Sequence, residues 1–147
     1  MERPAVRKQL KRIHRLLVDS RWALEQSSGV VRNKWLKDLL FNLACRRVIM
    51  LNMLDRELGI FAMPLKPGQA ARRYMTKLLS GSMNGGVPDN FMATCEEDEA
   101  QLMKELEEVM YQPGLSGSTR QMVLELVTSS RENLSDLRFL KGNLSAA

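Results

Sequence analysis

Along four long stretches of this chain, apolar residues return every three or four positions, and no alternating apolar pattern persists anywhere. A spacing near 3.6 puts such residues on one stripe of an α-helix, whereas strands need a period of two. A helix with a single apolar stripe cannot bury it alone, so the chain must pack helix against helix. The expected fold is all-α, with no strands.

The first stripe is Val6, Leu10, Ile13, Leu17, Ser20 and Leu24, just after Pro4, a residue tolerated at a helix start. It predicts a helix over 4–28, closed by Ser27-Ser28-Gly29. The second runs through Leu36, Leu39, Leu40, Leu43, Met50, Met53, Leu54 and Leu58, a helix over 31–58 stopped by Gly59. At 1.5 Å per residue it is roughly 42 Å long. Met63-Pro64 and Pro67-Gly68 punctuate a connection that carries a short helix over 68–79. Gly81-Ser82-Met83-Asn84-Gly85-Gly86 reads as the loosest, mobile segment, and it lacks the Lys-Ser/Thr ending of a phosphate-binding loop. A helix over 89–111 follows, with Asp89 as its expected N-cap and Met92, Cys95, Glu99, Leu102, Met103, Leu106, Val109 and Met110 as its stripe. After Gln112-Pro113-Gly114, a last helix over 117–141 carries Met122, Leu126, Ser130, Asn133, Leu137 and Leu140, and Lys141-Gly142 closes it.

Four stripes on one core make a four-helix bundle, one domain over 1–147. The two hairpins flank a crossover, Gly59–Pro88, long enough to return the chain to the far end, so the second and fourth helices should run parallel. Two hairpins joined by one long crossover is the ferritin-like arrangement. The stretch Cys95-Glu96-Glu97-Asp98-Glu99, followed by Leu102 and a helix ending at Pro113, resembles a bacterial family of ferritin-like four-helix-bundle proteins of unknown function. Its members open the third long helix with a Cys-Glu-x-Gly-Glu-like motif and carry a helical crossover ahead of it. Here the family's glycine slot holds Asp98. The resemblance implies a bundle and supplies no activity.

The chemistry-bearing residues are few. There is one histidine, His14, and there are two cysteines, Cys45 and Cys95, so disulfide scaffolds and four-cysteine zinc sites are excluded. No dinucleotide fingerprint, P-loop or nucleophile elbow occurs. No nucleophile–base spacing suggests a mechanism, so the chain is expected to be no enzyme and to need no cofactor. Both cysteines are placed on or near core faces, and the start of the fourth predicted helix would lower the Cys95 pKa. Most of the ten methionines read as core filler, and Trp22 and Trp35 as packing residues of the first hairpin. No run of 18 apolar residues occurs, and Met1–Arg15 is basic without an apolar region, which points to the cytoplasm.

A di-iron carboxylate site of the ferritin-like type needs two Glu-x-x-His motifs, hence two histidines, and His14 has Lys11 three residues before it. His14, Glu99 and Glu132 are the only partial metal candidates. In their place, polar residues interrupt the apolar stripes at one level: Arg46 or Arg47, Glu99, Ser130 and Asn133. An Arg guanidinium pairing with Glu99 by a two-pronged hydrogen bond is the expected structural layer, with the choice between Arg46 and Arg47 open. Folding the hairpins about Gly29–Val30 and Gln112–Leu115 sets Arg46 level with Ile13 and His14, and Glu99 level with Ser129.

Charge is uneven. Residues 1–81 hold 17 basic and 6 acidic side chains, whereas 82–147 hold 5 and 11. The expected role is association with another protein or self-association, a homodimer included. The alternatives are a degenerate metal binder and a binder of nucleic acid or anionic membrane through the basic first hairpin. Aromatic residues are not interleaved with Arg, so single-strand binding is not indicated.

Overall fold

The computed structural model describes residues 3–59 and 66–146; the punctuation read at Met63-Pro64 lies outside them. Five helices dominate: α1 (Pro4–Val30), α2 (Lys34–Leu58), α3 (Gln69–Leu78), α4 (Phe91–Met110) and α5 (Gly117–Ala146). Between α3 and α4 lies a minimal hairpin of β1 (Met83–Asn84) and β2 (Val87–Pro88).

The helix ends follow from local hydrogen bonding and correct the sequence reading. Ser27-Ser28-Gly29 does not stop α1. Both serines are buried, and Ser28 Oγ donates to the carbonyl of Lys37 across the turn, so the helix continues to Val30. The α2 N-terminus is then set by Asn33, whose side chain accepts the Leu36 amide at 3.0 Å, rather than beginning at residue 31. Gly59, in the left-handed region at φ 66°, closes α2. Asp89 is not the cap of α4. Its amide donates to Ser82 O, and Asn90 takes the cap position, its carbonyl accepting the Thr94 amide. Ser116 Oγ accepts the Thr119 amide and starts α5, which runs through Gly142 to Ala146. One glycine costs an exposed helix only about 1 kcal/mol, too little to end it.

The expectation of no strands also needs correction. The glycine-rich segment closes as an antiparallel pair, Met83 opposite Pro88 and Asn84 opposite Val87. Gly85 and Gly86 supply the two positive φ angles, 60° and 85°, that such a two-residue turn requires. Strands of two residues leave no alternation to read.

The four long helices lie side by side. α1 and α2 form one hairpin, and α4 and α5 the other. The pairs Arg12–Glu105 and Ser20–Asp98 set α4 antiparallel to α1. Arg46–Asn133 and Glu57–Thr119 set α5 antiparallel to α2. α2 and α4 therefore run in the same direction. α3 packs on α1 and α4, on the side away from the α2/α5 pair. Its N-terminal approach is fixed by Asp19, whose carboxylate accepts the Gly68 amide at 3.2 Å and pairs with Arg15 at 3.3 Å.

The core is split in two. One apolar cluster joins Val6–Leu17 of α1 to Met50–Leu58, Leu102–Val109 and Met122–Val127. The other joins Ala23 and Leu24 to Leu36–Ala44, Leu78, Phe91–Cys95 and Leu137. Each helix crosses from one cluster to the other at polar residues: Ser20 on α1, Arg47 on α2, Glu99 on α4, and Ser130 and Asn133 on α5.

Candidate functional site

The level where the core divides is occupied by a connected polar layer. Arg47 is 4% exposed and Glu99 is 1% exposed, so both charges are out of water. Arg47 Nη1 donates to Glu99 Oε2 at 3.1 Å, Nη2 to Asp98 Oδ2 at 3.2 Å, and Nε to Ser20 Oγ at 3.1 Å. Ser20 Oγ in turn donates to Asp98 Oδ2 at 3.0 Å, and Ser130 Oγ donates to Glu99 Oε2 at 2.9 Å. The planar fork of Arg serves this arrangement, since three of its nitrogens meet acceptors on α1 and α4 at once. Glu99 Oε1 is buried and has no hydrogen-bond partner among the described residues.

Two carboxylates face one guanidinium. Burial by itself would lower the Arg47 pKa, but Glu99 and Asp98 more than reverse this and hold it charged, above its ordinary value. Burial likewise lifts the Asp98 carboxyl above its ordinary 3.8, with Arg47 and the Ser20 hydrogen bond only partly opposing it. The neighbouring Tyr74 is pushed well up, also by burial first. Cys95, 3% exposed, is pushed up to about 12 by burial, with Asp98 adding to it. That reverses the expectation that the helix start would lower it, because removal from water outweighs the end-of-helix field. A hollow beside the layer, lined by Leu17, Ser20, Arg47, Asp98 and Gln101 among others, is about 10 Å³, the size of a single water.

Arg46, the other candidate, sits differently. It is exposed, donates to Asn133 Oδ1 at 2.5 Å and lies 3.3 Å from Asp136. Arg46 is not level with Ile13 and His14, since the adjacent Arg47 meets Ser20 and His14 meets Asp55. The α1–α2 turn is centred near residue 32, later than Gly29–Val30, and this shifts every pairing in the first hairpin. In the second hairpin the partner of Glu99 is Ser130, one residue from the expected level. The three partial metal candidates are not brought together. His14 Nε2 lies 2.6 Å from Asp55 Oδ1, Glu99 faces Arg47 and Ser130, and Glu132 is exposed beside Arg46. Among the described residues no group of three or more His, Cys, Asp or Glu side chains is placed to hold a metal. Cys45 is exposed, not on a core face, because it stands about 100° around α2 from buried Ala44. Several further polar contacts escape the sequence reading: Asp98 in the layer, His14–Asp55, Asp19–Gly68, and Thr119–Glu57. Ser20 stands on the α1 stripe among apolar residues, and that interruption is the readable signal of its part in the layer.

A second feature lies on the α2/α5 side. These two helices stand apart, bridged by Arg46, and leave two adjoining hollows of about 220 and 210 Å³. Leu39, Leu43, Leu137 and Leu140 line the first; Ile49, Met50 and Glu132 line the second. Phe139 and Ile49 stand out at the rims, 69% and 61% exposed. Trp35 and Phe41 of α2 are also exposed.

Comparison with protein-family models, with curated proteins and with solved structures gives no match to this chain. No helix among the described residues is long and apolar enough to cross a membrane.

Proposed function

We propose that this chain is a four-helix bundle of ferritin-like topology that acts by association rather than by catalysis, pairing with a second copy of itself through the α2/α5 face. The ferritin-like reading is supported by two antiparallel hairpins, the parallel course of α2 and α4 and the helical crossover between them. The observation that carries the association is the open α2/α5 side, where projecting Ile49 and Phe139 stand next to hollows lined by leucines. A twofold interface presents one patch to itself, so knobs and hollows must lie on the same surface, as they do here. The charges there are mixed, Arg46 with Asp136 and Glu132, so two copies would not repel. Large exposed apolar side chains gathered at a cleft mark interaction sites far more often than scattered ones do.

The test is sedimentation of the purified chain at about 1 to 100 μM. A concentration-dependent dimer is expected, and Ile49→Gln with Phe139→Gln should weaken it at least tenfold while circular dichroism stays unchanged. A monomer across that range, or a dimer indifferent to both changes, overturns the reading. Elemental analysis of the same sample addresses the metal-binding alternative: stoichiometric iron, manganese or zinc would displace the reading in its favour.

A further inference from the structure

The opposite side of the molecule carries a different surface. Residues 3–18, the N-cap and first half of α1, contain six basic side chains, Arg3, Arg7, Lys8, Lys11, Arg12 and Arg15, and no acidic one. Residues 66–77, leading into and through α3, contain Lys66, Arg72, Arg73 and Lys77, again with no acidic residue. The fold joins these two segments, since Asp19 ties the Gly68 amide to α1 beside Arg15 and α3 packs on α1 and α4. Lys8, Lys11, Lys66, Arg72 and Arg73 are exposed and have no carboxylate partner among the described residues. Arg7, Lys11 and Arg15 follow one another at four-residue intervals, so their α-carbons rise in one row at about 6 Å per step. The basic charge is thus carried by α1 and the crossover, not by the first hairpin as a whole. α2 mixes Lys34, Lys37, Arg46 and Arg56 with Asp38, Asp55 and Glu57, and its Arg47 is buried.

We propose that the α1/α3 face binds the phosphate backbone of double-stranded nucleic acid, independent of base sequence. Such backbones hold one charge per about 1.7 Å of axis and are recognised chiefly by arrays of Lys and Arg. The composition of the face separates this partner from two others. A helix that lies on an anionic bilayer buries an apolar face among the lipids. The large exposed apolar residues, among them Val30, Phe41, Ile49, Met83, Tyr111 and Phe139, all fall outside 3–18 and 66–77. A single strand is held by stacking its bases on aromatic rings. The one aromatic residue in these two segments, Tyr74, is half-buried and packed against the second core cluster.

Binding is measured with a 25-base-pair duplex, the matching single strand and vesicles containing phosphatidylserine, at about 50 and 200 mM salt. Two charge-matched variants separate the face from bulk charge. One carries Lys8→Glu, Lys11→Glu, Arg72→Glu and Arg73→Glu. The other carries Arg56→Glu, Lys104→Glu, Arg120→Glu and Arg131→Glu at exposed positions elsewhere. The duplex is expected to bind, and to lose at least about 10³-fold in affinity over that salt range, the drop for roughly six neutralised phosphates. The first variant should lose at least 100-fold at the lower salt and the second less than tenfold, both with wild-type circular dichroism. If either variant fails to fold, single Lys11→Glu and Lys104→Glu changes replace them, with a tenfold difference expected. No duplex retention at about 50 mM, equal losses in the two variants, or tighter binding to the vesicles or the single strand would each overturn the proposal.

Discussion

Arg47 is the side chain on which most of the interior polarity converges, and its loss should cost more than the loss of any one partner. Removing one member of a buried ion pair typically costs about 3–5 kcal/mol, because the other is left charged without compensation. Glu99→Ala leaves Arg47 its bond to Asp98, so urea denaturation should place it near the lower end of that range. Arg47→Met strands two carboxylates and should lie near the upper end. The double change Arg47→Met with Glu99→Leu should recover most of either loss, since a well-packed apolar pair is often as stable as the ion pair it replaces. If Glu99→Ala unfolds with wild-type midpoint, the pair does not act as a buried unit. Asp98 gives this layer a pH dependence of definite sign. Burial raises its pKa in the folded state above the ordinary 3.8. The folded protein therefore binds this proton more tightly than the unfolded chain does, and the contribution fades as pH rises through the raised value. Wild type should lose stability relative to Asp98→Asn on going from about pH 4 to 7 in urea titrations, and parallel curves would contradict the assignment. The thiols differ as sharply. Iodoacetamide should modify exposed Cys45 alone in the folded protein and both cysteines in denaturant, since Cys95 is buried with a thiol pKa near 12.

At the scale of the elements, Asn33 joins two pieces of the chain that are distant in sequence. Its Oδ1 caps α2 and its Nδ2 donates to Gly85 O at 2.8 Å, holding the β1–β2 turn against the α1–α2 turn. Asn33→Ser keeps a capping oxygen and loses only the second bond, whereas Asn33→Ala loses both. The alanine variant should be less stable by about 1 kcal/mol or more, and the serine variant should recover about half of that in thermal melts. These contacts also show where the sequence was legible. The apolar stripes were readable because each long helix repeats its signal at least four times. Glu99 and Ser130 were readable because they interrupt those stripes. The hairpin at Gly85-Gly86 was not, because two-residue strands carry no periodicity and the turn depends on docking to Asn33. The choice between Arg46 and Arg47 was not readable either. They stand 100° apart on α2, Arg46 in a row with Leu39, Leu43, Met50 and Met53 and Arg47 in a row with Leu40, Leu43, Met50 and Leu54, so each continues an apolar row. Asp98 is one of four successive acids, Glu96–Glu99, and only the placement of α1 against α4 singles it out and turns it inward.

For the molecule as a whole, the two proposed surfaces lie on opposite sides, α2/α5 on one and α1/α3 on the other. A dimer through the first would present two basic faces pointing away from each other. Wild type should then hold two duplexes together in a pull-down with one labelled and one immobilised strand pair. Ile49→Gln with Phe139→Gln should abolish that bridging while each monomer still binds one duplex; bridging that persists in the monomeric variant would argue against the arrangement. The divided core bears on a different property, the alignment of the four rods along their common axis. Grease alone tolerates sliding, because one leucine serves nearly as well as the next a turn away. A slip of one turn, about 5.4 Å, would carry the guanidinium of α2 among aliphatic neighbours and leave two carboxylates with no counter-ion. The charged belt at mid-height therefore acts as a key cut for a single lock. A variant in which it is filled with hydrocarbon is expected to tolerate more heat, yet to lose the narrow, well-dispersed amide resonances of a uniquely aligned structure.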